Sequence, residues 1–108
     1  MSIQIGSNIF AKQGESIYFN IPIYTNGVLA TNITSAKLAY FGGDMTEPEV
    51  IDCTVVAGGT IQQVIASADT LVLPDTIYVY EVKMVKTTSE VEEPVESGFI
   101  ILRPTIIK

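Results

Sequence analysis

Nine residues constrain this chain more than any others. From Ser16 to Tyr24, the apolar residues Ile17, Phe19, Ile21 and Ile23 alternate with Ser16, Tyr18, Asn20, Pro22 and Tyr24. A period of two sends successive side chains to opposite faces of an extended backbone, so the segment predicts a strand with one face on a core. A helix would scatter the same four apolar side chains around its circumference. Pro22 has no backbone N–H to donate, so this strand is expected at a sheet edge or with a local interruption.

The same alternation recurs. In Ile77 to Lys86, Tyr78, Tyr80, Val82 and Met84 share one face while Glu81 and Lys83 share the other. Ser35 to Phe41 sets Ala36, Leu38 and Tyr40 on one side, and Glu49 to Val55 sets Ile51, Cys53 and Val55 against Val50, Asp52 and Thr54. Thr60 to Ile65 and Phe99 to Leu102 are short strands, and Ile3, Ile5, Ile9 and Phe10 suggest one or two more before a turn at Gln13-Gly14-Glu15. Turn residues separate these segments: Asn26-Gly27, Gly42-Gly43-Asp44, Gly58-Gly59 and Arg103-Pro104. The acidic Glu90-Val91-Glu92-Glu93-Pro94 reads as a hairpin loop. One short helical turn is expected near Ser67 to Leu73, with Ser67 and Asp69 as caps and Pro74 as the stop.

About seven short strands and one helical turn predict an all-β fold, an antiparallel β-sandwich, with an open barrel as the alternative architecture. The expected interior comprises Ile17, Phe19, Ile21, Leu38, Ile51, Cys53, Tyr80, Val82 and Ile101. The chain of 108 residues fits one domain, 1–108, and its 47% hydrophobic content against 17% charged residues is enough for a core. No internal repeat or low-complexity tract interrupts it.

Charge and special residues narrow the functional classes. Twelve acids against six scattered bases leave a net charge of −6, which makes nucleic acid and anionic membrane poor partners. A single cysteine forbids an internal disulfide and favours assembly in a reducing cytoplasm. Met1 to Phe10 lacks the pattern of a signal peptide, and no apolar run approaches the roughly 20 residues of a membrane helix. The expectation is a protein made in the cytoplasm and not exported.

Histidine is absent, which removes imidazole acid–base chemistry and histidine metal sites. Cys53 falls on the apolar face of its strand and reads as a structural thiol. Asp44, Glu47 and Glu49, and likewise Glu90, Glu92, Glu93 and Glu96, lack the spacing of a calcium loop and read as solvated acids. Gly42-Gly43 and Gly58-Gly59 precede neither a helix nor a Lys-Ser/Thr pair, so they are turns and not phosphate loops. Asn32-Ile33-Thr34 matches a glycosylation acceptor only by chance without a secretory signal. No catalytic, metal or cofactor residue is therefore assigned, and an enzyme is not expected. Tyr18 and Tyr24, on the polar face of their strand, are either binding anchors or cross-strand packing residues.

Several phrases taken together carry a resemblance. Thr31-Asn32-Ile33-Thr34-Ser35-Ala36-Lys37-Leu38 precedes a loop; Gly59-Thr60-Ile61 opens a strand; Asp69-Thr70, Leu73-Pro74 and Tyr78-Val79-Tyr80-Glu81-Val82 follow; Gly98-Phe99-Ile100-Ile101 closes the set. From Gln13 to the end the chain resembles the immunoglobulin-like domain of tailed-phage virion proteins, of the kind at the amino terminus of siphophage baseplate upper proteins and in head-fibre and capsid-decoration modules. The resemblance implies an immunoglobulin-like sandwich in which the Leu73-Pro74 corner and Tyr78 form a tyrosine corner, the hydroxyl tying the turn back to the backbone. Tyr80 takes the place where antibody domains put a core cysteine. The absence of tryptophan sets the chain apart from antibody domains, and a chain expected to carry nothing after the domain would depart from baseplate proteins, which puts a baseplate scaffolding role in doubt.

The resemblance implies a non-enzymatic structural protein of a bacteriophage virion that docks on capsid or tail/baseplate subunits, in symmetric multiple copies, without cofactor. The alternative is a carbohydrate-binding or adhesion module on a phage or bacterial surface, which exposed aromatics on a sheet face would favour. The terminal aliphatics Ile3, Ile5, Ile106 and Ile107 either add outer strands to the sandwich or pair with a neighbouring subunit by strand addition.

Overall fold

The computed structural model describes residues 3–5, 8–87 and 89–104. Their order is β1 (Ile3–Ile5), β2 (Asn8–Lys12), β3 (Ile17–Pro22), β4 (Tyr24–Thr25), β5 (Val28–Leu29), β6 (Ile33–Gly42), β7 (Glu49–Asp52), β8 (Thr54–Val56), β9 (Thr60–Ile65), α1 (Ser67–Val72), β10 (Ile77–Lys86) and β11 (Ser89–Arg103). A six-stranded sheet runs β1-β2-β11-β10-β6-β7, a three-stranded sheet runs β3-β9-β8, and β4 and β5 form a separate hairpin. The fold is all-β, and its two main sheets contribute to one apolar cluster: Ile17, Phe19, Ile61 and Ile65 from the smaller, Leu38, Tyr40, Tyr78, Tyr80, Val82, Ile100 and Leu102 from the larger. The Phe19 and Tyr80 rings meet across it with centroids 5.4 Å apart.

The Ser16–Tyr24 pattern behaves as its chemistry requires. β3 stops at Pro22 and pairs with β9 alone, so the proline sits at a strand end on a sheet edge. Asn26 (φ 53°) and Gly27 (φ 80°) then close the two-residue β4–β5 turn, the left-handed pair that matches strand twist.

The expected single strand Glu49–Val55 is two strands in different sheets. β7 pairs with β6, β8 pairs with β9, and Cys53 between them donates its N–H to the Ala36 carbonyl at 2.8 Å. Ile51, Cys53 and Val55 keep their common inward phase through the crossing but are half-buried, because they lie where the chain passes from one sheet edge to the other.

β8 returns through Ala57-Gly58, both at positive φ, with Gly59 N–H bonded to the Val56 carbonyl. This turn is pressed against residues 30–33. Ile33 N–H reaches the Gly58 carbonyl and Ile23 N–H the Gly59 carbonyl, and a Cβ on Gly59 would strike the Ala30 carbonyl oxygen.

Four further expectations need correction. The acidic segment Glu90–Pro94 is not a loop: β10 ends at Lys86, Thr87 is in a turn, and β11 begins at Ser89 and runs through the acidic segment. Charged residues and a proline argue against a strand, but Pro94 lies opposite Lys83 beside a bulge, and Lys86 Nζ stands 3.3 Å from Glu93. Ile101 is not in the core. Ile100 and Leu102 are, since Ile100 pairs with inward Tyr78, and an uninterrupted run Phe99–Leu102 contains no alternation to reveal its phase. The sheets are not wholly antiparallel, because β2 runs parallel to Ile100–Arg103 of β11. Finally, α1 is capped by neither Ser67 nor Asp69: its N-cap is Ala66, with no side-chain cap bond.

α1 is held by Thr70 instead. Its buried hydroxyl donates to the Glu15 carbonyl at 2.7 Å and accepts from Gly14 N–H at 3.0 Å, while Gln13 donates to the Leu73 carbonyl. The helix is thereby fastened to the turn at residues 13–15. The following corner is closed by Tyr78, whose hydroxyl donates to the Pro74 carbonyl at 2.7 Å. Ile106 and Ile107 lie outside the described residues.

Candidate functional site: two outward sheet faces

Strand alternation determines what each sheet shows to solvent. On the larger sheet, Tyr78, Tyr80 and Val82 point into the core, so Ile77, Val79, Glu81 and Lys83 point out. Register then builds rows. Val79 lies between Phe41 on β6 and Phe99 on β11; Ile77 and Ile101 line up with Phe10; and Val50, Ala39, Glu81 and Ser97 form the row beyond.

Phe41, Val79 and Phe99 are 39%, 49% and 47% exposed. With Pro48 they line a shallow groove of about 560 Å³. The opposite end of the same face is charged, through Lys37, Asp52 and Lys83. Isolated surface apolar residues are ordinary, but three adjacent strands presenting a continuous row form a patch of the sort that marks an interface.

Two exposed Phe rings, at roughly 200 Å² each when bare, present on the order of 170 Å² here, so covering them contributes about 4 kcal/mol. That is comparable to the lower end of the cost of association, so the row serves a multivalent contact better than a solitary one.

The smaller sheet differs. Tyr18, 73% exposed, pairs with Val64, and Asn20 pairs with Gln62, which pairs with Thr54. These residues line a second trough of about 380 Å³. Tyr24, the other tyrosine singled out from the sequence, lies on the separate β4–β5 hairpin and does not line it.

Among the described residues, the titratable groups that are shifted owe the shift first to burial. Burial pushes the Cys53 thiol up, and nearby Asp52 adds to the shift, so the thiolate is disfavoured. Burial also raises Tyr78, with Asp44 and Asp75 adding, and lifts Tyr80 to about 12, with Glu96 adding. The Glu96 carboxyl is itself raised by burial. Among the described residues no group of three or more Cys, Asp and Glu is gathered as a metal site. Asp44, Glu47 and Glu49 lie around the β6–β7 connection, whereas Glu92, Glu93 and Glu96 follow one another along β11.

The Phe41–Val79–Phe99 row went unread in the sequence although a signal for it was there. Phe41 and Val79 are apolar in the phase that also carries Lys37 on β6 and Glu81 and Lys83 on β10, whereas nothing within the apolar run Phe99–Leu102 marks Phe99 as outward. Neither a protein-family model nor a curated protein sequence matches the chain.

Proposed function

We propose that this chain is an immunoglobulin-like, non-enzymatic structural module of a bacteriophage virion, and that it docks on capsid or tail/baseplate subunits through the outer face of its six-stranded sheet. The Phe41–Val79–Phe99 row carries the docking part of this reading, because a solvent-facing apolar row across three hydrogen-bonded strands is a rigid, preformed contact surface. No conformational ordering of the backbone is required to use it.

The immunoglobulin-like part is supported by strand order. A β3-β9-β8 sheet opposite a sheet centred on β11-β10-β6 corresponds to the two-sheet arrangement of such domains, and the Tyr78–Pro74 bond supplies the corner tie. The phage assignment rests on the residue phrases from Thr31 to Ile101 taken together. Nucleic acid and membrane are not part of the reading.

Two experiments test it. Mass spectrometry of purified particles from the phage encoding the chain should detect it at a copy number fixed relative to a capsid or tail subunit; absence from the particle removes the virion role. The double variant Phe41→Ser/Phe99→Ser should keep the far-ultraviolet spectrum of the native protein but lose incorporation. Incorporation at the native level would remove the sheet face from the docking role.

A further inference from the structure

The smaller sheet presents chemistry that the docking face lacks. Gln62 Nε2 donates to Asn20 Oδ1 at 2.8 Å, so the two amides are locked side by side across β3 and β9. That bond uses one donor of Gln62 and one acceptor of Asn20. It leaves the Asn20 amide nitrogen as a donor and the Gln62 carbonyl oxygen as an acceptor on the same exposed row, with the Thr54 hydroxyl next to them. Tyr18 stands two residues along the strand, its ring largely bare, and the lining of the trough contains no charged side chain.

We propose that this trough binds a neutral pyranose, with the apolar C–H face of the sugar stacked on Tyr18 and two neighbouring hydroxyls held by the Asn20–Gln62 amide pair.

A sugar ring is amphipathic, with C–H groups on a face and hydroxyls at the edge. An aromatic plane beside an ordered donor–acceptor pair complements both. Adjacent hydroxyls each donate and accept, which suits one free amide N–H next to one free amide carbonyl. Anionic ligands are disfavoured, since no cation lines the trough and the chain carries −6 overall. A flat apolar peptide would find one ring and Val64, with polar amides left unpaired beneath it. The trough is open and shallow, so weak affinity per ring is expected, with useful strength reached through repeated copies or repeated sugars. This proposal uses a different face from the docking row and stands independently of it.

The test is nuclear magnetic resonance titration of the intact chain with four neutral oligosaccharides, maltohexaose, cellohexaose, xylohexaose and chitohexaose, and with polygalacturonate as the anionic comparison. At least one neutral probe should shift the Tyr18, Asn20, Thr54 and Gln62 signals while leaving Phe41, Val79 and Phe99 unmoved. Tyr18→Ala should weaken that binding at least about tenfold and Tyr18→Phe should retain most of it, both with melting temperatures near that of the unsubstituted chain. Shifts mapping elsewhere, undiminished binding by Tyr18→Ala, preference for polygalacturonate, or no response to any neutral probe would each overturn the proposal. None of these results bears on incorporation through Phe41 and Phe99, which is read on a different surface.

Discussion

Tyr78 and Tyr80 lie two residues apart on β10, both buried, and do different work. Tyr78 closes the corner after α1 through its hydroxyl, so Tyr78→Phe should cost about 1 kcal/mol by leaving the Pro74 carbonyl without that donor. Urea unfolding with an unchanged m-value would register the loss. Tyr80 is packed on Phe19 and kept neutral by burial, with a pKa of about 12 against an ordinary 10.0. The raised value means that the unfolded chain releases this proton first. The stabilising contribution is complete below about pH 10 and is lost as pH rises through about 12, so melting temperature should fall across that window. Glu96 follows the same sign at acidic pH: its contribution is present below the ordinary carboxylate range and lost as pH rises through its elevated value. Glu96→Gln should therefore raise the melting temperature at neutral pH and flatten the profile just above the ordinary carboxylate range. Cys53, half-buried with a disfavoured thiolate, should be alkylated slowly in the native protein and quickly after unfolding.

Among the elements, the β8–β9 turn is where local geometry meets tertiary packing. Ala57 holds φ at 52°, a conformation that a Cβ disfavours, while Gly58 and Gly59 carry the close approach to residues 30–33. Ala57→Gly should consequently stabilise the protein by about 0.5–1 kcal/mol, whereas Gly59→Ala should destabilise it more strongly by driving a methyl group into the Ala30 carbonyl. Paired thermal melts with opposite signs would check both, and a stabilising Gly59→Ala would show that residues 30–33 are not packed as described. The turn dipeptides and the strongest strands were legible because each is set by local rules: Asn26-Gly27 by tolerance of positive φ, and Ile77–Lys86 by strict alternation. The Glu90–Pro94 stretch was not, because its extended form is imposed by pairing with β10, which local propensity opposes.

Across the whole molecule the decisive arrangement is two sheets sharing one core, with an apolar row outside the larger and an amide pair beside an exposed tyrosine outside the smaller. Val82 lies fully buried at the centre of β10, so Val82→Asp would place an unpaired charge in that core and should abolish cooperative folding. The crossing from β7 to β8, made at the single residue Cys53, joins the sheets, which explains why Ile51 and Cys53 belong to the core only in part. The Phe41→Ser/Phe99→Ser variant, by contrast, should fold, because both rings lie outside the core cluster. Circular dichroism distinguishes the two cases directly.

The sequence by itself determined the all-β class, the inward faces of β3, β6 and β10, and the positions of the glycine turns at Asn26-Gly27, Gly42-Gly43 and Gly58-Gly59. Each depends on contacts between residues a few positions apart or on the conformational limits of Gly, Asn and Pro. The phase of Phe99–Leu102, the division of Glu49–Val55 between two sheets, the parallel pairing of β2 with β11 and the anchoring of α1 by Thr70 were decided only by the tertiary structure. Thr70 meets the Glu15 carbonyl across 55 positions of chain, and Val79 meets Phe41 and Phe99 across two ladders. Partners that distant exist only once the sheets have paired, so neither the polar anchor nor the outward apolar row can be located by alternation within a single strand.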